Sequence, residues 1–85
     1  MTSQEIKVYI DYDTEEVINA LYEDEVYYVM RTIEDTEEYT KYEIDQLQNA
    51  NRNYWECTES RELVVYKDDI TYCTLDGVGL VVINR

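Results

Sequence analysis

The stretch DTEEVINALYED, residues 13–24, decides whether this chain folds with helices or with strands alone. Its apolar side chains recur at helical spacing, at Val17, Ile18, Leu21 and Tyr22. Asp13 and Glu16 match an aspartate form of the helix capping box, and apolar residues stand on either side of it. The pattern predicts a helix over about residues 14–24.

The segments on either side of this stretch have strand patterns. Residues 5–12, EIKVYIDY, alternate between apolar and polar types, which is typical of a half-buried strand. Residues 26–33, VYYVMRTI, are rich in β-branched and aromatic types and predict a second strand. One long helix through residue 33 is disfavoured, because Glu25 would interrupt its apolar stripe.

The letters DTEE recur at residues 35–38 and again match the capping box. They predict a second helix over about residues 36–50, followed by a polar loop in QNANRN at 48–53. Residues 39–44, YTKYEI, also have strand-like composition, so a hairpin in this region stays open as the alternative.

The C-terminal third contains three short strand patterns, ELVVYK, ITYCTL and GLVVIN. Asp76 and Gly77 predict a type I′ turn that sets Leu75 opposite Val78. Both faces of this hairpin are mostly apolar. We therefore expect one small α+β domain over residues 1–85, with a mainly antiparallel sheet of about five short strands and one or two helices packed on it.

Charge is the strongest compositional signal. The net charge of −13 exceeds the magnitude of roughly 2–8 that suits a small soluble domain. Residues 11–45 carry thirteen of the acids against only Arg31 and Lys41. Because such charge repels itself and destabilises the compact state, it favours a role beyond solubility.

Several residue types are absent or scarce. There is no histidine, the commonest general base and transition-metal ligand, and neither a metal site nor a cofactor is expected. Cys57 and Cys73 match no zinc or redox motif, which predicts buried free thiols, with a single disulfide as the alternative. The sequence shows no signal peptide and no apolar run of membrane-spanning length, so we expect a cytoplasmic protein without membrane contact.

The residues VYIDYDTEE, 8–16, resemble the nucleophile motif of haloacid dehalogenase-like phosphohydrolases. The resemblance implies Asp11 as nucleophile and Asp13 as general acid/base, with VVYKDD at 64–69 supplying a lysine and magnesium ligands. However, Thr14 stands one place too early for that motif, and 85 residues are too few for the family's doubly wound parallel sheet. These departures favour a protein that is not an enzyme.

In size and composition the chain is similar to small phage-encoded DNA mimics, including anti-restriction, uracil-glycosylase-inhibiting and anti-CRISPR proteins. The similarity implies a non-enzymatic inhibitor in a host cytoplasm, monomeric or homodimeric. Its partner would be a nucleic-acid-binding host protein such as a CRISPR effector or restriction enzyme, and nucleic acid itself would be repelled. The candidate partner-binding residues are Asp11, Asp13, Glu15, Glu16, Glu23, Asp24, Glu25, Glu34, Asp35, Glu37, Glu38, Tyr39, Tyr42 and Glu43. The alternative is a structural or adaptor module that forms a homodimer through its C-terminal hairpin.

Overall fold

The fold was obtained as a computed structural model that describes residues 4–14, 16–51 and 54–83, with backbone alone described for 48–51, 54 and 55. It consists of strands in a simple meander. The strands are β1 (Glu5–Ile10), β2 (Val17–Tyr22), β3 (Glu25–Asp35), β4 (Tyr39–Asn51), β5 (Tyr54–Tyr66), β6 (Tyr72–Leu75) and β7 (Val78–Val82).

The seven strands close into a barrel. Each strand pairs antiparallel with the next along the chain, and β1 pairs parallel with β7 at Glu5–Val81 and Ile6–Val82. Every described strand therefore has a neighbour on both sides. Bulges supply the bending that closure of a small barrel needs.

The expected α+β fold is wrong, because the described residues contain no helix, and thus none long and apolar enough to span a membrane. The predicted helix over residues 14–24 is strand β2 and its flanking turns. Tyr9 pairs with Asn19 and the next residue, Ile10, pairs with Val17. Ile18 has no partner in this register and is the extra residue of a bulge. The bulge shifts the phase of alternation, so a strand acquires the spacing of a helix face.

The predicted helix over residues 36–50 is also wrong, and the strand alternative holds, since Tyr39–Asn51 form β4. The polar loop expected over residues 48–53 is wrong for residues 48–51, which belong to this strand, and residues 52–53 lie outside the described part. Thr36 explains the misleading capping pattern: its Oγ1 accepts the N–H groups of Glu38 and Tyr39, at 3.2 and 3.1 Å. The same side-chain-to-backbone bonds that cap helices here close a turn between two strands.

Other sequence predictions are confirmed. Strands occupy both segments that flank residues 13–24, and the C-terminal hairpin has the expected register, with Leu75 opposite Val78 and Cys73 opposite Leu80. Asp76 and Gly77 both have positive φ, 52° and 85°, as a type I′ turn requires.

The barrel interior is a packed apolar core to which every strand contributes. Its members include Ile6, Ala20, Ile44, Leu63 and Leu80, each at most 1% exposed. Burial of such side chains contributes about 1.5–3 kcal/mol each for the larger ones. The two cysteines are free, and Cys73 is buried in this core, but Cys57 is exposed, so the expectation that both thiols are buried is wrong for Cys57.

Candidate functional site

The meander brings three connections to one end of the barrel: residues 11–16 between β1 and β2, 36–38 between β3 and β4, and 67–71 between β5 and β6. The second and third of these connections are hydrogen-bonded to each other. The backbone N–H of Lys67 donates to the carbonyl of Glu38 at 2.9 Å. One cavity at this end is lined by residues of the first and third connections and by Asp35 and Thr40, which lie on either side of the second.

These connections and the strand ends beside them assemble carboxylates that are far apart in sequence. We call this surface the acidic end. Its described members are Asp11, Asp13, Glu16, Glu34, Asp35, Glu37, Glu38, Asp68 and Asp69. The ammonium group of Lys67, also at this end, lies 2.6 Å from Asp35 and neutralises one of them. The other eight make no ion pair among the described residues.

The loops of the acidic end are held by their own polar groups. The Asp11 carboxylate accepts the N–H of Asp13 at 2.8 Å, while the Asp11 N–H donates to the Glu16 carbonyl at 2.9 Å. Asp69 accepts both the hydroxyl and the backbone N–H of Thr71, at 2.6 and 2.9 Å, and these bonds hold the pKa of the Asp69 carboxyl below its usual value. A surface fixed in this way keeps its negative charges in place.

Lys67 likewise lowers the pKa of Asp35, first through its hydrogen bond and then through its charge. This pair stands beside a polar cavity of about 240 Å³ that forms the mouth of the barrel. Thr14, Glu16 and Tyr42 also line it. No cluster of side chains among the described residues could hold a metal ion.

The opposite end of the barrel is built around a cation, and we call it the arginine end. The guanidinium of Arg61 lies 5.6 Å from the ring centre of Tyr22 and 5.7 Å from that of Tyr27. Its Nε donates to Asp76 at 2.9 Å. The Tyr27 hydroxyl donates to Glu59 at 2.9 Å, and burial, then this bond, raises the pKa of Tyr27 to about 12.

The candidate residues from the sequence divide between these surfaces. Seven of them belong to the acidic end, and Glu15 lies outside the described residues. Tyr39 stands beside the acidic end, half-buried, and its hydroxyl donates to Glu34 at 2.6 Å, which raises the pKa of Tyr39. Tyr42 is 5% exposed and belongs to the core, so it is not available as a surface anchor.

The remaining candidates lie elsewhere on the barrel. Glu23 and Asp24 form the β2–β3 turn at the arginine end, with Glu25 following at the start of β3. Glu43 lies on the barrel wall, where it pairs with Arg31 at 3.2 Å.

Sequence reasoning missed Asp68 and Asp69 as members of the site. The letters KDD at 67–69 marked a turn between strands, but nothing local to them indicated that this turn would meet residues 11–16 and 36–38. Only the strand order of the barrel brings the three connections together.

Comparison with known proteins gives no further guidance. No family model, no curated protein and no solved structure matches this chain. The function must therefore be argued from the chemistry of the site.

Proposed function

We propose that this protein is a non-enzymatic inhibitor whose acidic end occupies a lysine- and arginine-rich nucleic-acid-binding surface of a partner protein and excludes nucleic acid from it. The observation that carries the proposal is the assembly of nine described carboxylates, seven from three separate connections and two from the end of β3, on one end of a closed barrel. Host enzymes that act on DNA, such as restriction enzymes and CRISPR effectors, present surfaces of the required charge.

Electrostatics supports a protein partner over nucleic acid. A chain of net charge −13 is repelled by phosphates but is attracted to the cationic grooves that bind them. Complementary charge accelerates association and excludes wrong partners. The loop hydrogen bonds of Asp11 and Asp69 support the same proposal, because charges that are already in place need no ordering when the partner arrives.

The test uses two variants with the same change of charge. The acidic-end triple variant replaces one exposed acid in each connection: Asp13→Lys, Glu37→Lys and Asp68→Lys. The arginine-end triple variant, its matched control, carries Glu5→Lys, Glu56→Lys and Glu62→Lys. All six positions are exposed, so both variants should fold, which circular dichroism and thermal melting verify.

Each tagged protein is used to capture bacterial proteins at ~50 mM salt, with elution at ~200 mM. We expect the unmodified protein and the arginine-end triple variant to recover the same nucleic-acid-binding protein, released by salt. We expect the acidic-end triple variant to lose it. Equal recovery by both triple variants would show that the position of the acids does not matter and would refute the proposal.

The adaptor alternative receives less support from the geometry. In the C-terminal hairpin, β6 pairs with β5 and β7, and β7 also pairs with β1. Among the described residues β6 is paired on both edges, whereas β7 pairs with β1 only at Val81 and Val82, so a second copy could add a strand only at the start of β7.

A further inference from the structure

An open groove of about 710 Å³ runs along the outer face of β1, β2 and the start of β3. Its apolar lining consists of the buried core residue Val8 and of Tyr9, Ile10, Tyr12, Ile18, Leu21 and Val26. Most of them are strongly exposed, with Tyr12 at 93%, Ile18 at 51% and Tyr9 at 45%. The bulge in β2 contributes to this exposure, because Ile18 and Asn19 both lie outside while Val17 and Ala20 are buried.

The apolar surface continues from the groove onto β3. Tyr28 lies opposite Asn19, which itself lies opposite Tyr9, and Tyr28 and Met30 are 43% and 50% exposed. With ~200 Å² for a whole tyrosine and ~100 Å² for an aliphatic side chain, the patch exposes roughly 600 Å². That is about as large as the largest apolar patch on a typical monomer, and three quarters of the roughly 800 Å² that one partner contributes to a standard interface.

Acids stand at both ends of this groove. Asp11 and Asp13 flank Tyr12 at the acidic end. Glu23 and Asp24 form the turn that follows the pair Leu21–Val26 at the other. Lys7, opposite Leu21, is the cation that borders the groove among the described residues.

This charge distribution selects the occupant. A second copy of the chain docked groove to groove would set acids against acids in either orientation, and it would bring together two molecules of charge −13. A partner whose apolar side chains are flanked at both ends by lysine or arginine would instead pair with both acidic rims.

We propose that the groove binds an extended segment of a partner protein, with apolar side chains in its middle and lysine or arginine at both ends. The six residues of β2 span ~20 Å, so about six residues of an extended segment would fill the groove between its rims. The inference deepens the proposed function and rests on it only for the positive charge of the partner. The groove supplies the apolar anchor beside the acidic end, because buried apolar side chains carry much of the binding energy of an interface.

The test uses synthetic peptides with two lysines at each end and either six apolar residues or six serines between them. Fluorescence anisotropy gives the affinity for the unmodified protein, and backbone amide NMR shifts locate the bound peptide. We expect the peptide with the apolar centre to bind at least ~10-fold more tightly than the serine peptide. We expect it to shift the amides of Ile18 and Val26.

Variants separate the groove from the acidic end. Tyr12→Ser with Ile18→Thr should remove the ~10-fold preference for the apolar peptide, whereas Val78→Thr, at a 53% exposed position outside the groove, should keep it. Equal binding of both peptides, abolished by the acidic-end triple variant, would overturn the groove proposal and leave the proposed function standing. In the opposite case, the unmodified protein prefers the apolar peptide and the acidic-end triple variant still captures the partner normally. That result would overturn the proposed function and leave the groove proposal standing.

Two further results would also overturn the groove proposal. One is failure of both peptides to bind. The other is a dimer in sedimentation equilibrium that Ile18→Thr dissociates, because the groove would then be occupied by a second copy.

Discussion

Replacement of Arg61 by methionine should destabilise the barrel by about 2 kcal/mol. Methionine keeps the apolar stem of the side chain but removes the guanidinium, which lies against the rings of Tyr22 and Tyr27 at 5.6 and 5.7 Å. Each cation–π contact of this kind contributes ~0.5–1 kcal/mol. The ion pair with Asp76 at 2.9 Å, whose side chain is 45% exposed, adds ~0.5–1 kcal/mol after solvent screening.

Arg31→Met is the matched control, because it removes the same charge from the chain. Arg31 is 63% exposed and among the described residues forms an ion pair only with Glu43, so its loss should cost at most ~0.5 kcal/mol. Arg61→Lys should lie between the two, since lysine keeps the charge but lacks the planar group that stacks on the rings.

Urea unfolding followed by tyrosine and tryptophan fluorescence measures all three variants. With a slope of ~1 kcal/mol/M for a domain of this size, Arg61→Met should lower the midpoint by ~2 M and Arg31→Met by less than ~0.5 M. Equal midpoints for the two variants would refute the claim that Arg61 holds this end of the barrel together.

Three further predictions follow from the same structure. The free energy of unfolding should fall by ~2–3 kcal/mol as pH rises from 10 to about 12, because Tyr27 binds its proton more tightly in the folded state than in the unfolded state. Urea unfolding at each pH measures this fall, and Tyr27→Phe should flatten that part of the profile. In the folded protein a thiol reagent should label Cys57 and spare Cys73, and rapid labelling of both thiols would contradict the core assignment. Labelling of Cys57 should reach its full rate only at a higher pH than for an ordinary thiol, because the thiolate is the reactive form and desolvation and then Asp45 raise the pKa of Cys57. At low salt the acidic-end triple variant should melt at a higher temperature than the unmodified protein, because the substitutions relieve repulsion among the clustered carboxylates, and the difference should shrink as salt rises. An unchanged melting temperature would show that this clustering costs no stability.

Strands with regular alternation could be predicted from the sequence, and so could β3, which has bulges but keeps a β-branched and aromatic composition; β2 and β4 could not. β1 and the C-terminal hairpin keep a period of two, and the Asp76–Gly77 turn fixes the hairpin register locally. In β2 the extra residue Ile18 breaks that period and imitates a helix face. The turn around Thr36 adds a second misleading signal, because a helix cap and a strand-to-strand turn use the same hydrogen bonds.

The acidic character of the site was evident from the sequence, but its membership was not. Residues 11–45 contain most of the acids, yet the barrel separates Glu23 and Asp24 from Asp11 and Asp13 and places them at opposite ends. It also adds Asp68 and Asp69 from outside that segment. In a meander of antiparallel strands, successive connections alternate between the two ends of the barrel. Acids in two connections therefore share a surface only when an even number of strands lies between those connections.

Displacement of DNA tests the central claim most directly. A fluorescent DNA duplex is bound to the purified partner recovered by capture, and its release is followed by anisotropy as this protein is added. We expect stoichiometric release by the unmodified protein and by the arginine-end triple variant, and at least ~10-fold weaker release by the acidic-end triple variant. Release that is equally effective with both triple variants, or a complex that holds DNA and this protein together, would contradict that claim.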